Sequence, residues 1–194
     1  RFRQRAPVYA ALYEQSLNDP GTFWKEKAEI LSWERFPTEI QHFELILPNH
    51  PDATPRIDIR WYADGLLNAA YNAVGRHART NPDRIALYWE ADRPETPGQT
   101  LTYSQLEKIM HQMAGILKHL DIQKGDRVAI YLPTIPEAIA AMLACAQIGA
   151  IHTVVFAGFS VEALRSRLLD SQAKLLITVE NSPRGGKVTP LYQR

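Results

Sequence analysis

Between residues 128 and 179, three short apolar runs alternate with segments of helical periodicity, and this alternation restricts the fold more than any other feature. The runs are Val128-Ala-Ile-Tyr-Leu132, His152-Thr-Val-Val-Phe156 and Lys174-Leu-Leu-Ile-Thr-Val179. β-Branched and aromatic residues of this kind suit a pleated strand. Between the first two lies a helical stretch from Pro136 to Ile148, with Pro136 suited to a first turn and Gly149 to a C-cap. Between the second and third lies Val161 to Ser171, with Ser160 as its N-cap. Strand, helix, strand, helix, strand with short connections predicts an α/β fold, a parallel sheet of βαβ units flanked by helices. The near-continuous apolar character of the runs predicts strands covered on both faces, with His152 a hydrogen-bonded core residue.

Upstream, Ile85 to Glu90 reads as a strand and Asp92 to Gln99 as a surface loop. Thr102 is a helix N-cap, with Gln105 in capping-box spacing ahead of a clean apolar stripe from Leu106 to Leu120. Residues 84–194 therefore form the α/β portion, and residues 1–83 an N-terminal, aromatic-rich extension of helical or irregular structure. Helices are expected over Ala10 to Ser16, Phe23 to Ile30 and from Asn68 toward His77, and an extended or irregular path over Leu47 to Arg56, where Pro48, Pro51 and Pro55 crowd together. Trp24, Trp33 and Trp61 are three of the four tryptophans, expected to clamp the extension onto the larger body.

Lys plus Arg number 22 against 21 Asp plus Glu, so no global field selects nucleic acid or a membrane surface. The single cysteine, Cys145, lies in an apolar helical run and reads as a buried, inert thiol. The apolar run from Ala138 to Ile151 falls short of the ~20 residues that span a bilayer. The amino-terminal Arg1-Phe-Arg-Gln-Arg5 lacks the apolar stretch of a signal peptide, so a cytoplasmic setting is expected. Walker, Rossmann and nucleophile-elbow fingerprints are all missing. The six histidines have no metal-ligand spacing, and no carboxylate pair suggests acid–base work. Neither catalytic nor metal residues are assigned.

Ligands of open α/β sheets bind at the carboxyl ends of the strands. Two stretches stand there. Phe156-Ala-Gly-Phe-Ser160 carries small residues that allow close approach to the backbone, yet an ordinary strand-to-helix turn would look the same. Arg184-Gly-Gly-Lys187 offers a planar fork and a mobile point charge, as either a phosphate clamp or a solvated basic turn.

Several stretches in order also resemble the acetyl-CoA synthetases of the adenylate-forming acyl-CoA synthetase family. They are Asn68 to His77, Val128 to Ala150, His152 to Ser160 and Arg184 to Lys187, and the likeness reaches back to Tyr13–Trp24. The resemblance implies the large N-terminal, AMP-binding domain of such an enzyme. It would make acetyl-adenylate from acetate and ATP with Mg²⁺, then pass the acetyl group to CoA. It also implies that Phe156, Ala157, Gly158, Arg184 and Lys187 contact the CoA nucleotide. Ala157 stands where the family has glycine, and Lys187 where it has arginine. The family's ATP-phosphate loop, acyl pocket and catalytic lysine have no counterpart in the 194 residues, so adenylation by this chain alone is not expected, and the remainder of a parent enzyme is its implied partner. Exposed sheet edges would favour homo-oligomers. Propionyl-CoA and other short-chain synthetases share the pattern. A non-catalytic nucleotide-binding module and a purely structural role are the other readings.

Overall fold

The computed structural model describes residues 7–47 and 54–192. Contacts divide it into two compact units, one ending at Leu67 and one beginning at Asn68.

The first unit opens with helices α1 (Pro7–Asn18) and α2 (Pro20–Ala28). Asp19 caps α2, its carboxylate accepting from the Thr22 amide at 3.1 Å. Strands β1 (Gln41–Ile46) and β2 (Arg56–Trp61) follow as an antiparallel pair with Phe43 opposite Ile59 and Glu44 opposite Asp58. These two strands are not among the elements expected from the sequence. The signal was present, since Ile57, Ile59 and Trp61 alternate with Asp58 and Arg60, but the intervening prolines masked it. Positions 48–53, where Pro48 and Pro51 fall, lie outside the described residues. Trp24, Trp33 and Trp61 make ring contacts within this unit. Trp24 meets Trp61 edge-on at 5.8 Å, and Trp33 meets Tyr62 at 5.6 Å.

The second unit is helical from Ala69, widens into a π-helical turn at Tyr71–Gly75 and ends as α3 (Arg76–Thr80). Gly75 leaves space for the Tyr71 ring, because a Cβ there would stand 2.9 Å from it. Strand β3 (Ile85–Trp89) pairs antiparallel with β4 (Gln99–Thr102), outside the parallel sheet. Helix α4 (Tyr103–His119) carries the expected capping box, with Thr102 and Gln105 bonded reciprocally at 3.3 and 2.9 Å.

Three parallel strands come next: β5 (Arg127–Tyr131), β6 (Ile151–Val154) and β7 (Leu175–Thr178), in spatial order β6-β5-β7. Helix α5 (Pro136–Ile148) links β5 to β6, and α6 (Val161–Ser171) links β6 to β7. The central strand organises the core. Val128, Ile130 and Leu132 join residues of α4 and α5, such as Met110 and Cys145, in the main cluster. Tyr131 instead joins Val155, Ala157, Leu164 and Leu191. Alternating side chains of one strand thus hold two layers together.

Of the three parallel strands, β5 alone is buried on both faces. Ile151, His152 and Val154 of β6 are exposed, because β6 is an edge strand among the described residues; His152 is therefore a surface residue, not a core one. At the other edge, β7 and α4 line an apolar trough of about 590 Å³ that includes Ile116, Leu120 and Leu176. The glycine-containing segment after β7 is not a loop but a hairpin, β8 (Asn181–Arg184) with β9 (Lys187–Pro190). Gly185 and Gly186 form its turn at φ +57° and +74°, where glycine is favoured.

Candidate functional site

A cleft of about 510 Å³ opens beyond the carboxyl ends of β5 and β6, a size suited to a nucleotide-sized ligand. Phe156, Ala157, Gly158, Arg184 and Lys187 all line it, so the fold brings the five candidate residues together. Phe156 to Gly158 come from the β6–α6 turn, and Arg184 and Lys187 face each other across the β8–β9 hairpin.

Arginines and aromatic rings alternate from Arg184 through Phe156 and Phe159 to Arg167, and of these Arg184 and Phe156 line the cleft. The Arg184 guanidinium lies 4.6 Å from the centre of the Phe156 ring, Phe156 meets Phe159 edge-on at 5.6 Å, and Arg167 lies 4.5 Å from the Phe159 ring. Gly158 lies beneath the first pair. A Cβ on it would stand 2.5 Å from the Phe156 ring and 2.7 Å from an Arg184 nitrogen. Ala157 behaves differently. It is buried, and it joins the cluster of Tyr131, Val155, Leu164 and Leu191. Its methyl is part of the core.

Three further residues set this geometry, and sequence reasoning missed them. Tyr131 is buried, and its hydroxyl donates to the Ala157 carbonyl at 3.1 Å and the Phe159 carbonyl at 3.3 Å, which fixes the β6–α6 turn. The Trp89 indole N–H donates to the Thr134 carbonyl at 2.7 Å and ties β3 to the turn after β5. The Asp92 carboxylate accepts from the amides of Gly185 and Gly186 at 2.9 and 3.3 Å. The hairpin turn therefore already holds an anion in its backbone donors, and Arg184 and Lys187 are the cations left facing the cleft. Glu90 and Asp92 balance them in formal charge. Nothing in the local sequence marks these contacts, since Asp92 and Gly185 lie far apart along the chain.

Elsewhere in the unit, burial pushes the Cys145 thiol up to about 11, which fits an inert core residue. Among the described residues no helix is long and apolar enough to cross a membrane.

The chain belongs to the AMP-binding enzyme family, whose profile matches residues 74–192. Residues 9–73 match the acetyl-coenzyme A synthetase N-terminus. It is 47% identical over 184 residues to the acetyl-coenzyme A synthetase of Vibrio cholerae, covering 95% of this chain and 27% of that protein. The acetyl-coenzyme A synthetase of a Bradyrhizobium species is 46% identical, over 94% of this chain and 27% of its own length. Among solved structures, acetoacetyl-CoA synthetase from Streptomyces lividans matches with a TM-score of 0.81 and 28% identity, over 95% of this chain and 27% of that one. The chain thus spans about a quarter of the length of these relatives.

Proposed function

We propose that this chain is the N-terminal part of an acetyl-CoA synthetase, an AMP-forming ligase, and that its cleft receives the nucleotide end of CoA. In the complete enzyme, acetate and ATP give acetyl-adenylate and pyrophosphate, and the CoA thiol then takes the acetyl group as AMP leaves. CoA supplies the sulfur nucleophile. The residues of this chain bind and orient its other end, while the sites for ATP, Mg²⁺ and acetate belong to the rest of the parent enzyme. The setting we propose is cytoplasmic.

The observation that carries the reading is the Arg184–Phe156 stack above Gly158. The stack holds the guanidinium in place while leaving donors open to a phosphate, and Lys187 adds a point charge on the opposite strand. The half-exposed Phe156 ring offers an apolar surface against which a purine can rest. An acetyl-group preference is supported by the identity of 43–47% to acetyl-coenzyme A synthetases; the fold match to an acetoacetyl-CoA synthetase is what supports the alternative of another short acyl group. Comparing CoA with dephospho-CoA tests the assignment. Arg184→Ala should weaken CoA binding and narrow the difference between the two ligands, whereas equal binding of both by the unaltered chain would contradict it.

A further inference from the structure

The polar face of the β1–β2 hairpin carries a cluster that the CoA reading does not use. Side chains two apart on a strand share a face, and antiparallel partners stand beside one another. His42 and Glu44 on β1 therefore lie beside Asp58 and Arg60 on β2, with Glu44 directly opposite Asp58 and His42 opposite Arg60. One donor atom from each of His42, Glu44 and Asp58 falls within 4.8 Å of the others. Spacing along the sequence gives no hint of this set, because the hairpin creates it.

Three observations make the cluster more than a charged surface. First, two carboxylates directly opposed on neighbouring strands destabilise a sheet unless a cation lies between or beside them. Arg60 answers only part of this, reaching Asp58 at 3.3 Å. Second, the His42 Nε2 atom is shielded from solvent and makes no hydrogen bond, although it faces Glu44 Oε2 at 3.6 Å. Third, Glu39 Oε1 lies 3.3 Å from His42 Nδ1. Metal-ligating histidines commonly hold a carboxylate against the ring nitrogen that does not bind the ion. Donors around a tetrahedral ion with bonds near ~2.1 Å stand roughly 3.4 Å apart. The Nε2–Oε2 separation of 3.6 Å is close to that edge.

We propose that His42 Nε2, Glu44 and Asp58 form a three-donor site for one divalent transition-metal ion of the zinc class, with Glu39 orienting the imidazole. The nitrogen donor selects against Mg²⁺ and Ca²⁺, and the absence of a thiolate in the set selects against Cu⁺. Glu44 is largely exposed, which leaves the fourth position to water. The ion would neutralise the opposed carboxylates and pin β1 to β2, so its role is to staple the hairpin. This inference is independent of the CoA assignment, since all four residues belong to the first unit.

The test is a calorimetric titration of the untagged chain with zinc chloride, followed by a Co²⁺ titration read by visible absorption. One equivalent should bind, and the His42 ring resonances should move first in the proton NMR spectrum. His42→Ala and Glu44→Gln should each weaken binding by roughly tenfold or more. Arg60→Gln should strengthen it by removing a neighbouring positive charge, while His111→Ala and His152→Ala should leave it unchanged. Binding that survives His42→Ala, or zinc-induced shifts centred on another histidine, would overturn the proposal. So would the failure of the unaltered chain to bind zinc at all. The ring resonances are read on the unaltered chain, so a variant that folds poorly does not blunt the test.

Discussion

A methyl group on Gly158 would meet the Phe156 ring at 2.5 Å and Arg184 at 2.7 Å. Both are ends of side chains at a solvent-facing cleft, so they can move aside at little cost to the fold. Gly158→Ala should therefore change unfolding free energy by less than about 1 kcal/mol while weakening CoA binding several-fold, checked by denaturant melts and calorimetry. Ala157, one position earlier, gives the opposite pattern. The family resemblance marks it as a departure from glycine, which suggests an obstructed ligand. Its burial beside Tyr131 and Leu191 says instead that the methyl fills core space. Ala157→Gly should cost about 1–2 kcal/mol of stability, from one lost buried methyl and a freer unfolded backbone, and should not tighten CoA binding. A variant that bound CoA more strongly with unchanged stability would contradict this account of the residue.

At the scale of elements, local signals carried far and long-range pairing did not. Thr102 with Gln105, Ser160 before α6 and Gly149 after α5 are end-signals held within a few residues, and each helix starts or stops where they stand. Thr102→Ala should lower stability by about 1 kcal/mol, measured in urea, because it leaves an amide of α4 uncapped. The three parallel strands were legible from their apolar runs, but their order was not: β5 is central and β6 an edge because of how the chain crosses over, which no run of residues encodes. The same limit hid the pairing of β3 with β4 and the hairpin nature of the Arg184 segment. At the candidate site, Ala157, Gly158, Arg184 and Lys187 stand out by residue type at strand ends, and Phe156 by the family resemblance. Tyr131 and Asp92 were not, since their contacts close over long stretches of chain. In the first unit, Asp64 ties the strand-leading segment down by accepting from the Thr38 hydroxyl and from the amides of Thr38 and Glu39. These bonds, the Thr38 hydroxyl foremost, hold its carboxyl down at about 2 against an ordinary value of 3.8. A depressed folded-state pKa gives stability that is present above the unfolded value and is lost as pH falls through the folded one. Thermal melts followed by tryptophan fluorescence should therefore decline between pH 4 and pH 2, values set by that shift. Asp64→Asn should lower the melting temperature near neutrality and remove that part of the acid dependence.

At the scale of the whole molecule, the chain joins an acetyl-coenzyme A synthetase N-terminus to a stretch of AMP-binding domain. The candidate site draws on the second stretch alone, where three strand-end segments meet around one cleft. What makes that cleft a site is two cations on one hairpin, one of them stacked on an aromatic ring, over a glycine whose missing side chain gives that stack its space. The most direct test is a two-dimensional NMR titration of this chain with millimolar CoA, repeated with dephospho-CoA. Shifts should centre on Phe156, Gly158, Arg184 and Lys187, be larger for CoA than for dephospho-CoA and be lost in Arg184→Ala. Shifts centred away from this cleft, or none at millimolar CoA, would contradict the CoA assignment.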